Sequence, residues 1–237
     1  MRLLSFILLC LLAFSAFGDG LVVEYKFDNS LIDTGSDGDI TDTLTASSPV
    51  YENGLFENSL YCDSSDCAAA DSCDLDLTPQ YTIEAFIKPY LLSGVQTVLS
   101  KASYKIVISG SNLGFFHTQS NGTVIGDYSV PLTLNKWQHI AVIANGSLIT
   151  LYLNGKCAAT YVYNGTILNS SSALSIGSSY KGLVDEVRIF NYARTSDYVY
   201  SRSQYNCGDL PAEDIDGDCR ITFDDLCILA GQWLLGQ

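Results

Sequence analysis

Hydrophobic and polar residues alternate along most of the chain between residues 20 and 192, and this pattern is typical of β-strands. In the clearest segment, 81–88, every second residue from Tyr81 to Ile87 is apolar. Comparable runs predict further strands at 21–27, 97–100, 104–109, 113–117, 136–144, 148–153 and 183–190. Before the C-terminal region, only residues 195–202 read as a short helix.

Asn-Gly pairs punctuate these runs and indicate tight turns, because both residues tolerate the positive φ angles of a type I′ turn. They occur at 53–54, 121–122, 145–146, 154–155 and 164–165. The pairs at 145–146 and 154–155 bracket residues 147–153, which we expect to be the central strand of a three-stranded meander. Many short strands separated by such turns predict an antiparallel sandwich or jelly roll.

A different pattern begins near the C terminus, where residues 214–225 read DIDGDCRITFDD. Oxygen donors recur at positions 1, 3, 5, 7, 9 and 12 of this window: Asp214, Asp216, Asp218, Arg220 (through its backbone carbonyl), Thr222 and Asp225. Calcium takes about six to eight oxygen ligands from loops with this spacing. The sequence therefore predicts a calcium-binding loop, and the alternative is an acidic surface loop.

The segment after this loop strengthens the calcium interpretation. Its apolar residues recur at helical spacing: Leu226, Leu229, Ala230, Trp233 and Leu234. Residues 207–237 resemble a dockerin-type repeat, a family whose calcium loops and helices, normally in duplicate, bind cohesin modules on a partner. The resemblance implies calcium and a cohesin-like partner for a small EF-hand-like module at residues 206–237. This chain carries one copy, with Cys219 at the position of the usual turn glycine.

The N terminus has the three parts of a secretory signal peptide. Met1 and Arg2 form a short cationic start, residues 3–14 form an apolar segment interrupted only by Ser5, and residues 16–18 are small enough for cleavage after Gly18, apart from Phe17. Twelve apolar residues are too few to span a bilayer as a helix, and no later segment is long and apolar enough. We therefore expect a mature chain without a transmembrane segment, secreted or held at the cell surface, in a bacterium.

Charge and cysteine content narrow the partners further. Cleavage after Gly18 leaves 11 basic and 26 acidic residues, a net charge of −15 that repels nucleic acids and anionic lipid surfaces. Seven cysteines remain, and export favours disulfides over a zinc cluster, although an odd number leaves one thiol free or paired with another chain. Six of them lie in two groups: Cys62, Cys67 and Cys73, and Cys207, Cys219 and Cys227.

Four phrases, in order, resemble a LamG-like (concanavalin A-like) jelly-roll domain: LVVEYKFDNSL at 21–31, YTIEAFIKPYLLSGVQTVLSKASYKIVIS at 81–109, NKWQHIAVIANGSLITLYLNGK at 135–156 and SSALSIGSSYKGLVDEVRIFNYAR at 171–194. The resemblance covers a domain at residues 19–203 and implies an all-β antiparallel jelly-roll sandwich. A cysteine-rich insert at 62–73 departs from the family pattern. Members of the family often hold one calcium at the edge of the sandwich.

Asp185 is the candidate ligand for such an ion. Strict alternation would place it on one face with Leu183, Val187 and Ile189, where an unpaired carboxylate is costly. Asp28, which follows the first predicted strand, is the candidate second ligand. The alternative is that Asp185 accepts hydrogen bonds from the backbone or pairs with a lysine or arginine.

Catalysis finds little support in the sequence. Retaining glycosidases need two carboxylates about 5 Å apart, whereas Asp185 and Glu186 are adjacent and should point to opposite faces. His139 falls in a strand of the family pattern, and no Gly-x-Ser-x-Gly motif is present.

We predict a non-catalytic protein that binds carbohydrate or an extracellular protein. The alternatives are a divergent glycanase of the concanavalin A-like class and a structural component of a surface assembly. Aromatic candidates for sugar stacking are Phe116, His117, Tyr152, Tyr161 and Tyr163.

Overall fold

The computed structural model of the 237-residue chain describes residues 20–38, 40–64 and 67–204, together with residues 226, 227, 229, 230 and 233. The part up to residue 204 contains fourteen strands and one α-helix. They are β1 (Leu21–Tyr25), β2 (Val50–Asn53), β3 (Asn58–Asp63), β4 (Cys67–Ala69), β5 (Gln80–Pro89), β6 (Val95–Lys101), β7 (Tyr104–Ser109), β8 (Asn112–Thr118), β9 (Val124–Pro131), β10 (Gln138–Asn145), β11 (Leu148–Leu153), β12 (Lys156–Val162), β13 (Leu174–Ile176), β14 (Lys181–Phe190) and α1 (Ser196–Ser203).

The strands form two antiparallel sheets. The eight-stranded sheet has the order β12-β11-β10-β5-β14-β3-β2, and β1 also pairs with β14. The six-stranded sheet has the order β4-β13-β6-β7-β8-β9. Strands distant in sequence are neighbours, as where β5 lies between β10 and β14. The prediction of an all-β antiparallel sandwich with one short helix is confirmed for the described residues.

The main core lies between the two sheets. Tyr81, Ile83 and Ile87 of β5 point into it, as the alternation predicted, and they are fully buried. The opposite face of β5 is buried as well, because α1 and the turn between β2 and β3 cover it: Phe86 packs with Leu55 in a second, smaller cluster. The eight-stranded sheet therefore has apolar contacts on both of its faces.

The predicted meander is present as β10, β11 and β12. Asn154 and Gly155 have φ angles of 49° and 72°, and this confirms the type I′ turn between β11 and β12. At the preceding turn, Gly146 has positive φ but Asn145 does not. The type I′ prediction is wrong there, because Asn145 instead ends β10 and its side chain accepts hydrogen bonds from the backbone of the turn.

The predicted face of β14 is wrong, because the strand contains a bulge. Asp185 pairs with Phe86, but Arg188 pairs with Glu84, so β14 has one residue more than β5 in this stretch. The extra residue is Glu186, with φ of 49°. Before the bulge, Leu183 and Asp185 lie on the outer face of the eight-stranded sheet; after it, Val187 and Ile189 point into the main core.

Helix α1 closes the outer face of the eight-stranded sheet. Thr195 caps its first turn by accepting a hydrogen bond from the backbone N–H of Tyr198. The buried Val199 packs against Ala141 and Ile143 of β10. No helix in the described ranges is long and apolar enough to cross a membrane.

Several predictions fall on other parts of the chain. The signal peptide at 1–18 and the calcium loop at 214–225 lie outside the described residues. In the C-terminal region the described residues 226, 227, 229, 230 and 233 are helical, as the spacing of the apolar residues predicted, and they are exposed. The domain boundaries at 19–203 and 206–237 stay predictions.

Candidate functional site

The outer face of the six-stranded sheet carries an unusual row of side chains. Strand pairing places Ala68, Ser175, Ser100, Lys105, Phe116 and Gly126 side by side across all six strands. A second row contains Thr97, Val107, Gly114 and Tyr128. The alternating residues of these strands, such as Ile106 and Phe115, point into the main core.

Small side chains dominate one part of this outer face. Ala68, Ser100 and Ser175 on β4, β6 and β13 rise little above the backbone. On β8 and β9, Phe116 and Tyr128 stand higher. Ala68, Ser100 and Ser175 thus form a low floor on this face. The floor carries the two serine hydroxyl groups, and the rings of Phe116 and Tyr128 border it on one side.

The two rings form one packed unit. The Phe116 and Tyr128 centroids are 4.8 Å apart with an interplanar angle of 64°, and Lys105 Nζ lies 5.2 Å from the Phe116 centroid. Gly114 makes this arrangement possible: a Cβ there would lie 2.8 Å from the Tyr128 ring and 2.7 Å from the carbonyl oxygen of Asp127. Both rings remain half-buried, so part of each stays open to solvent.

A groove lies at the neighbouring edge of the sandwich. It has a volume of about 690 Å³ and is lined by residues of β9, the β11–β12 hairpin and the end of α1, including Ser129, Asn154, Lys156, Tyr200 and Gln204. Its size is within the range of small-ligand sites, about 300–1,000 Å³. Tyr200 is 55% exposed and is the groove's main aromatic surface.

Of the five aromatic residues predicted as sugar platforms, Phe116 alone lies on the outer face of the six-stranded sheet. His117 is fully buried: Nδ1 is 2.8 Å from the Tyr81 hydroxyl, and Nε2 is 2.7 Å from the carbonyl oxygen of Thr166. Burial lowers the pKa of His117, so its ring is neutral and structural. The other three, Tyr152, Tyr161 and Tyr163, belong to the eight-stranded sheet or follow it.

Asp28 and Asp185, the predicted calcium ligands of the jelly roll, both bind the turn between β2 and β3. Asp185 Oδ2 accepts hydrogen bonds from the backbone N–H groups of Leu55 (2.9 Å) and Phe56 (3.2 Å). Asp28 Oδ1 accepts one from Asn58 (3.0 Å). Among the described residues no group of three or more His, Cys, Asp or Glu side chains is placed to hold a metal ion. Backbone partners are thus present for both carboxylates, and calcium at this position stays a prediction.

The environment of Asp185 favours its neutral form. Burial raises the pKa of this carboxyl to about 8, and the nearby charge of Glu186 acts in the same direction. The backbone N–H groups of Phe56 and Leu55 act against this shift but do not cancel it. Asp185 is therefore largely protonated at neutral pH.

A cluster of carboxylates that the sequence did not reveal surrounds Arg188 on the outer face of the eight-stranded sheet. Arg188 lies 2.8 Å from Glu24, 2.6 Å from Glu186 and 3.8 Å from Glu84. Arg202 of α1 also reaches Glu84 (3.4 Å) and Glu186 (3.2 Å). The bulge at Glu186 brings this side chain to the same face, which strict alternation had excluded.

The pKa values of Glu84 and Glu186 are shifted in opposite directions, and all three carboxylates of this cluster lie in residues at most 7% exposed. Burial disfavours ionised Glu84, yet His139, Arg202 and Tyr198 outweigh burial and lower the pKa of Glu84. Burial raises the pKa of Glu186 despite its arginine neighbours. His139 Nε2 lies 3.3 Å from Glu84 Oε2, and both residues are at most 1% exposed. The cluster anchors α1 to the sheet and is closed to a polysaccharide.

Comparison with protein families identifies the class of protein to which this chain belongs. The Laminin_G_3 family, described as the concanavalin A-like lectin/glucanases superfamily, matches residues 63–199, and the chain belongs to this family. The predicted LamG-like jelly roll is thereby confirmed. A search of curated proteins gives no match.

Solved structures with the same fold include several binding domains. The binding domain of Paraclostridial Mosquitocidal Protein 1 has a TM-score of 0.67 at 17% identity, covering 78% of this chain and 52% of its own. The binding domain of botulinum neurotoxin serotype G has a TM-score of 0.66 at 15% identity, with 84% and 54% covered. This chain spans about half the length of those two toxin domains.

Domain 4 of AbnA, an extracellular arabinanase from Geobacillus stearothermophilus solved in complex with arabinotriose, aligns over 98% of its length. It covers 78% of this chain with a TM-score of 0.63 and 19% identity. At these identities the likeness shows the fold alone. The dockerin-type repeat has no counterpart in these comparisons and stays a prediction.

Proposed function

We propose that this protein is a secreted, non-catalytic recognition protein whose jelly roll binds carbohydrate on the outer face of the six-stranded sheet. The observation that carries the proposal is the pair of half-buried rings, Phe116 and Tyr128, beside a floor of small hydroxyl residues. An extracellular protein that presents a similar mixture of apolar and polar groups is the second ligand class.

The chemistry of this face suits a sugar. The C–H groups of a pyranose or furanose ring pack on an aromatic face, while its hydroxyls exchange hydrogen bonds with neutral donors and acceptors. Ser100 and Ser175 offer hydroxyl groups, and Lys105 offers an ammonium beside the Phe116 ring. The low floor leaves room for a saccharide to approach the rings from the side. The arabinotriose bound by domain 4 of AbnA supports this ligand class for the fold.

The glycanase alternative has one observation in its favour, the convergence of Glu24, Glu84 and Glu186. A carboxyl with raised pKa near one with lowered pKa is the arrangement that general acid catalysis requires. Against it, each of the three carboxylates contacts an arginine, and side chains of α1 also contact Glu84 and Glu186. Binding without hydrolysis is therefore the function that the geometry supports best.

The C-terminal module is the proposed attachment device. Asp214, Asp216, Asp218, Arg220, Thr222 and Asp225 would hold one calcium ion and so fix the helix that follows. Leu226, Leu229 and Trp233 of this region are helical and 54%, 51% and 86% exposed, so an apolar stripe is open to a partner. A cohesin-like module is the partner class we propose, outside the cell or at its surface.

The test is glycan binding by the purified full chain and by single variants. We expect an array to identify a glycan, and we expect Phe116→Ala and Tyr128→Ala each to weaken its binding about tenfold, the loss of one stacking contact. Tyr200→Ala is the matched control, because Tyr200 is an exposed tyrosine that lines the edge groove instead.

Each result has a defined meaning. Loss of binding in the Tyr200 variant alone would move the site to the edge groove. Absence of glycan binding, with a protein ligand sensitive to Phe116→Ala, would select the second ligand class. Binding that survives all three substitutions would contradict the proposed face.

A further inference from the structure

A lysine is buried at one end of the sandwich inside a cage of oxygen atoms. The side chain of Lys101, the last residue of β6, is fully buried. Its ammonium forms an ion pair with Asp71 and lies 3.3 Å from the carboxylate of Asp76. It also donates to the backbone carbonyls of Ser170 (2.7 Å) and Ser172 (3.0 Å). Lysine is almost never fully buried unless it is paired, and here four oxygens surround it.

The composition of the cage is that of a cation site. Carboxylate and backbone carbonyl oxygens are the ligands that Ca²⁺ takes from proteins. The two carboxylates carry a charge of −2 against a single ammonium, which has three hydrogens for four oxygens. We infer that this cage is a cation-binding site and that the Lys101 ammonium occupies the position of a bound cation. A divalent cation can replace the ammonium when the side chain is shortened.

The cage explains how the cysteine-rich insert is held. Asp71 lies in that insert, and Asp76 follows it, just beyond β4. Ser170 and Ser172 precede β13. The strands β4, β13 and β6 are consecutive in the six-stranded sheet, so one ammonium joins the segments that flank three neighbouring strands. A further hydrogen bond runs from the backbone N–H of Ala102 to Ser172 Oγ at 3.0 Å.

Two substitutions of Lys101 separate a cation site from an ordinary buried ion pair. Lys101→Ala removes the charge and empties the cage, whereas Lys101→Met removes the charge but still fills it. Without calcium, both variants should melt about 5 °C below the wild type, because two backbone carbonyls lose a donor and the carboxylates of Asp71 and Asp76, which are 30% and 22% exposed, lose their counter-charge. Millimolar calcium should restore at least half of this loss in Lys101→Ala and little of it in Lys101→Met.

The controls use pairs that this chain already contains. Lys181 forms an ion pair with Asp63 at 3.2 Å with both side chains about half exposed, so Lys181→Ala should hardly change the melting temperature. The predicted C-terminal calcium loop is present in every variant, so only differences between variants in their response to calcium are compared. Lys101→Ala combined with Asp76→Asn should lose the recovery, because the cage then lacks one carboxylate.

Equal responses of Lys101→Ala and Lys101→Met to calcium would overturn the cation site, as would a Lys101→Ala protein that melts like the wild type. If Lys101→Ala does not fold, hydrogen exchange of Asp76→Asn decides. The cage predicts faster exchange both at residues 68–76 and at residues 172–174, at least tenfold, whereas Asp63→Asn should leave both unchanged. Exchange that changes in neither segment would contradict the inference.

Discussion

Asp185 and Leu55 stand 130 positions apart in the sequence, and the backbone N–H of Leu55 donates a hydrogen bond to Asp185 Oδ2 at 2.9 Å. This contact fastens the turn between β2 and β3 onto β14. The approach is close enough that a Cβ on Gly54 would lie 2.7 Å from the same oxygen. A carboxyl that resembles a metal ligand in the sequence thus organises backbone in the fold.

The first prediction concerns the stability that Asp185 contributes. Asp185→Ala leaves the N–H groups of Leu55 and Phe56 without an acceptor and should destabilise the protein by about 2–5 kcal/mol. Asp185→Asn should cost less, because its amide oxygen can accept the same hydrogen bonds. Thermal melting measures both. Equal melting temperatures for the wild type and Asp185→Ala would contradict the burial of this side chain.

The same residue predicts a pH dependence. The folded pKa of Asp185, about 8, lies above its ordinary value of 3.8, so the folded state binds this proton more tightly than the unfolded state does. Stability from Asp185 is then complete below about pH 4 and is lost as the pH rises towards 8, at up to about 1.4 kcal/mol per pH unit. Asp185→Asn has no carboxyl group to ionise, so it does not lose this stability. Its melting temperature relative to that of the wild type should therefore rise between pH 5 and pH 8. A constant difference would show that Asp185 titrates alike in both states.

The second prediction tests the fit between Gly114 and Tyr128 without removing an aromatic ring. Gly114→Ala places a methyl group against the Tyr128 ring and the Asp127 carbonyl, so the ring must move. We expect glycan affinity to fall about tenfold, measured by calorimetry. Gly122→Ala is the control: it lies in the β8–β9 loop with no atom within 4 Å of its new Cβ, and it should strain the backbone without changing affinity. Equal affinities of the two variants would contradict a role for the Tyr128 ring.

The third prediction concerns the buried carboxylate of Glu84. Glu84→Gln leaves the charges of Arg188 and Arg202 partly uncompensated and should lower stability at pH 7 by about 3–5 kcal/mol. Because the folded pKa of Glu84 is lowered, its contribution is present above its ordinary value of 4.5 and is lost as the pH falls. The difference in melting temperature between wild type and variant should therefore shrink in acid. The control is Glu52→Gln, at an exposed glutamate, which should melt like the wild type. A loss of stability in Glu52→Gln similar to that in Glu84→Gln would contradict a particular contribution from the buried Glu84.

The fourth prediction concerns the calcium loop. Residues 205–237 in isolation should form helix only with calcium bound, because the ion supplies folding free energy that a small apolar core lacks. Circular dichroism with calcium and with a chelator measures this. Asp216→Ala should abolish the response, since it removes a central ligand. A spectrum that is the same in both conditions would contradict the loop.

The fifth prediction is that the jelly roll hydrolyses no glycan. The three convergent carboxylates are at most 7% exposed and each contacts Arg188, and the two histidines described above are buried. Incubation with a panel of polysaccharides should release no reducing sugar. Release that Glu84→Gln or Glu186→Gln abolishes would establish the glycanase alternative instead.

The strands with a strong apolar face could be predicted from the sequence, and others could not. The predicted segments 104–109 and 148–153 coincide with β7 and β11. Strand β12 lies at a sheet edge with mostly exposed residues, so no apolar face marks it, and only the meander prediction implied a strand after the Asn154-Gly155 turn. Strand β9 contains Gly126 and ends at Pro131, two residues that interrupt a strand pattern.

The candidate site could not be predicted from local sequence patterns, because its residues come from segments that are distant in the sequence. The row from Ala68 to Gly126 draws on six strands, and only their register makes these residues neighbours. The convergence of Glu24, Glu84 and Glu186 depends on one extra residue in β14, which alternation cannot reveal. The burial of Asp185 could be predicted because it stands among apolar residues, but its face could not.

The lysine that fills the oxygen cage provides a positive charge that cannot dissociate from the sandwich, whereas a free ion can. Lys101 is joined to the chain, so neither a chelator nor dilution can extract its charge, and assembly of this end of the sheet needs nothing from the surroundings. A calcium loop at the C terminus would follow the supply of the ion instead. One polypeptide would then combine a recognition domain that is always assembled with an attachment module that forms only where calcium is plentiful.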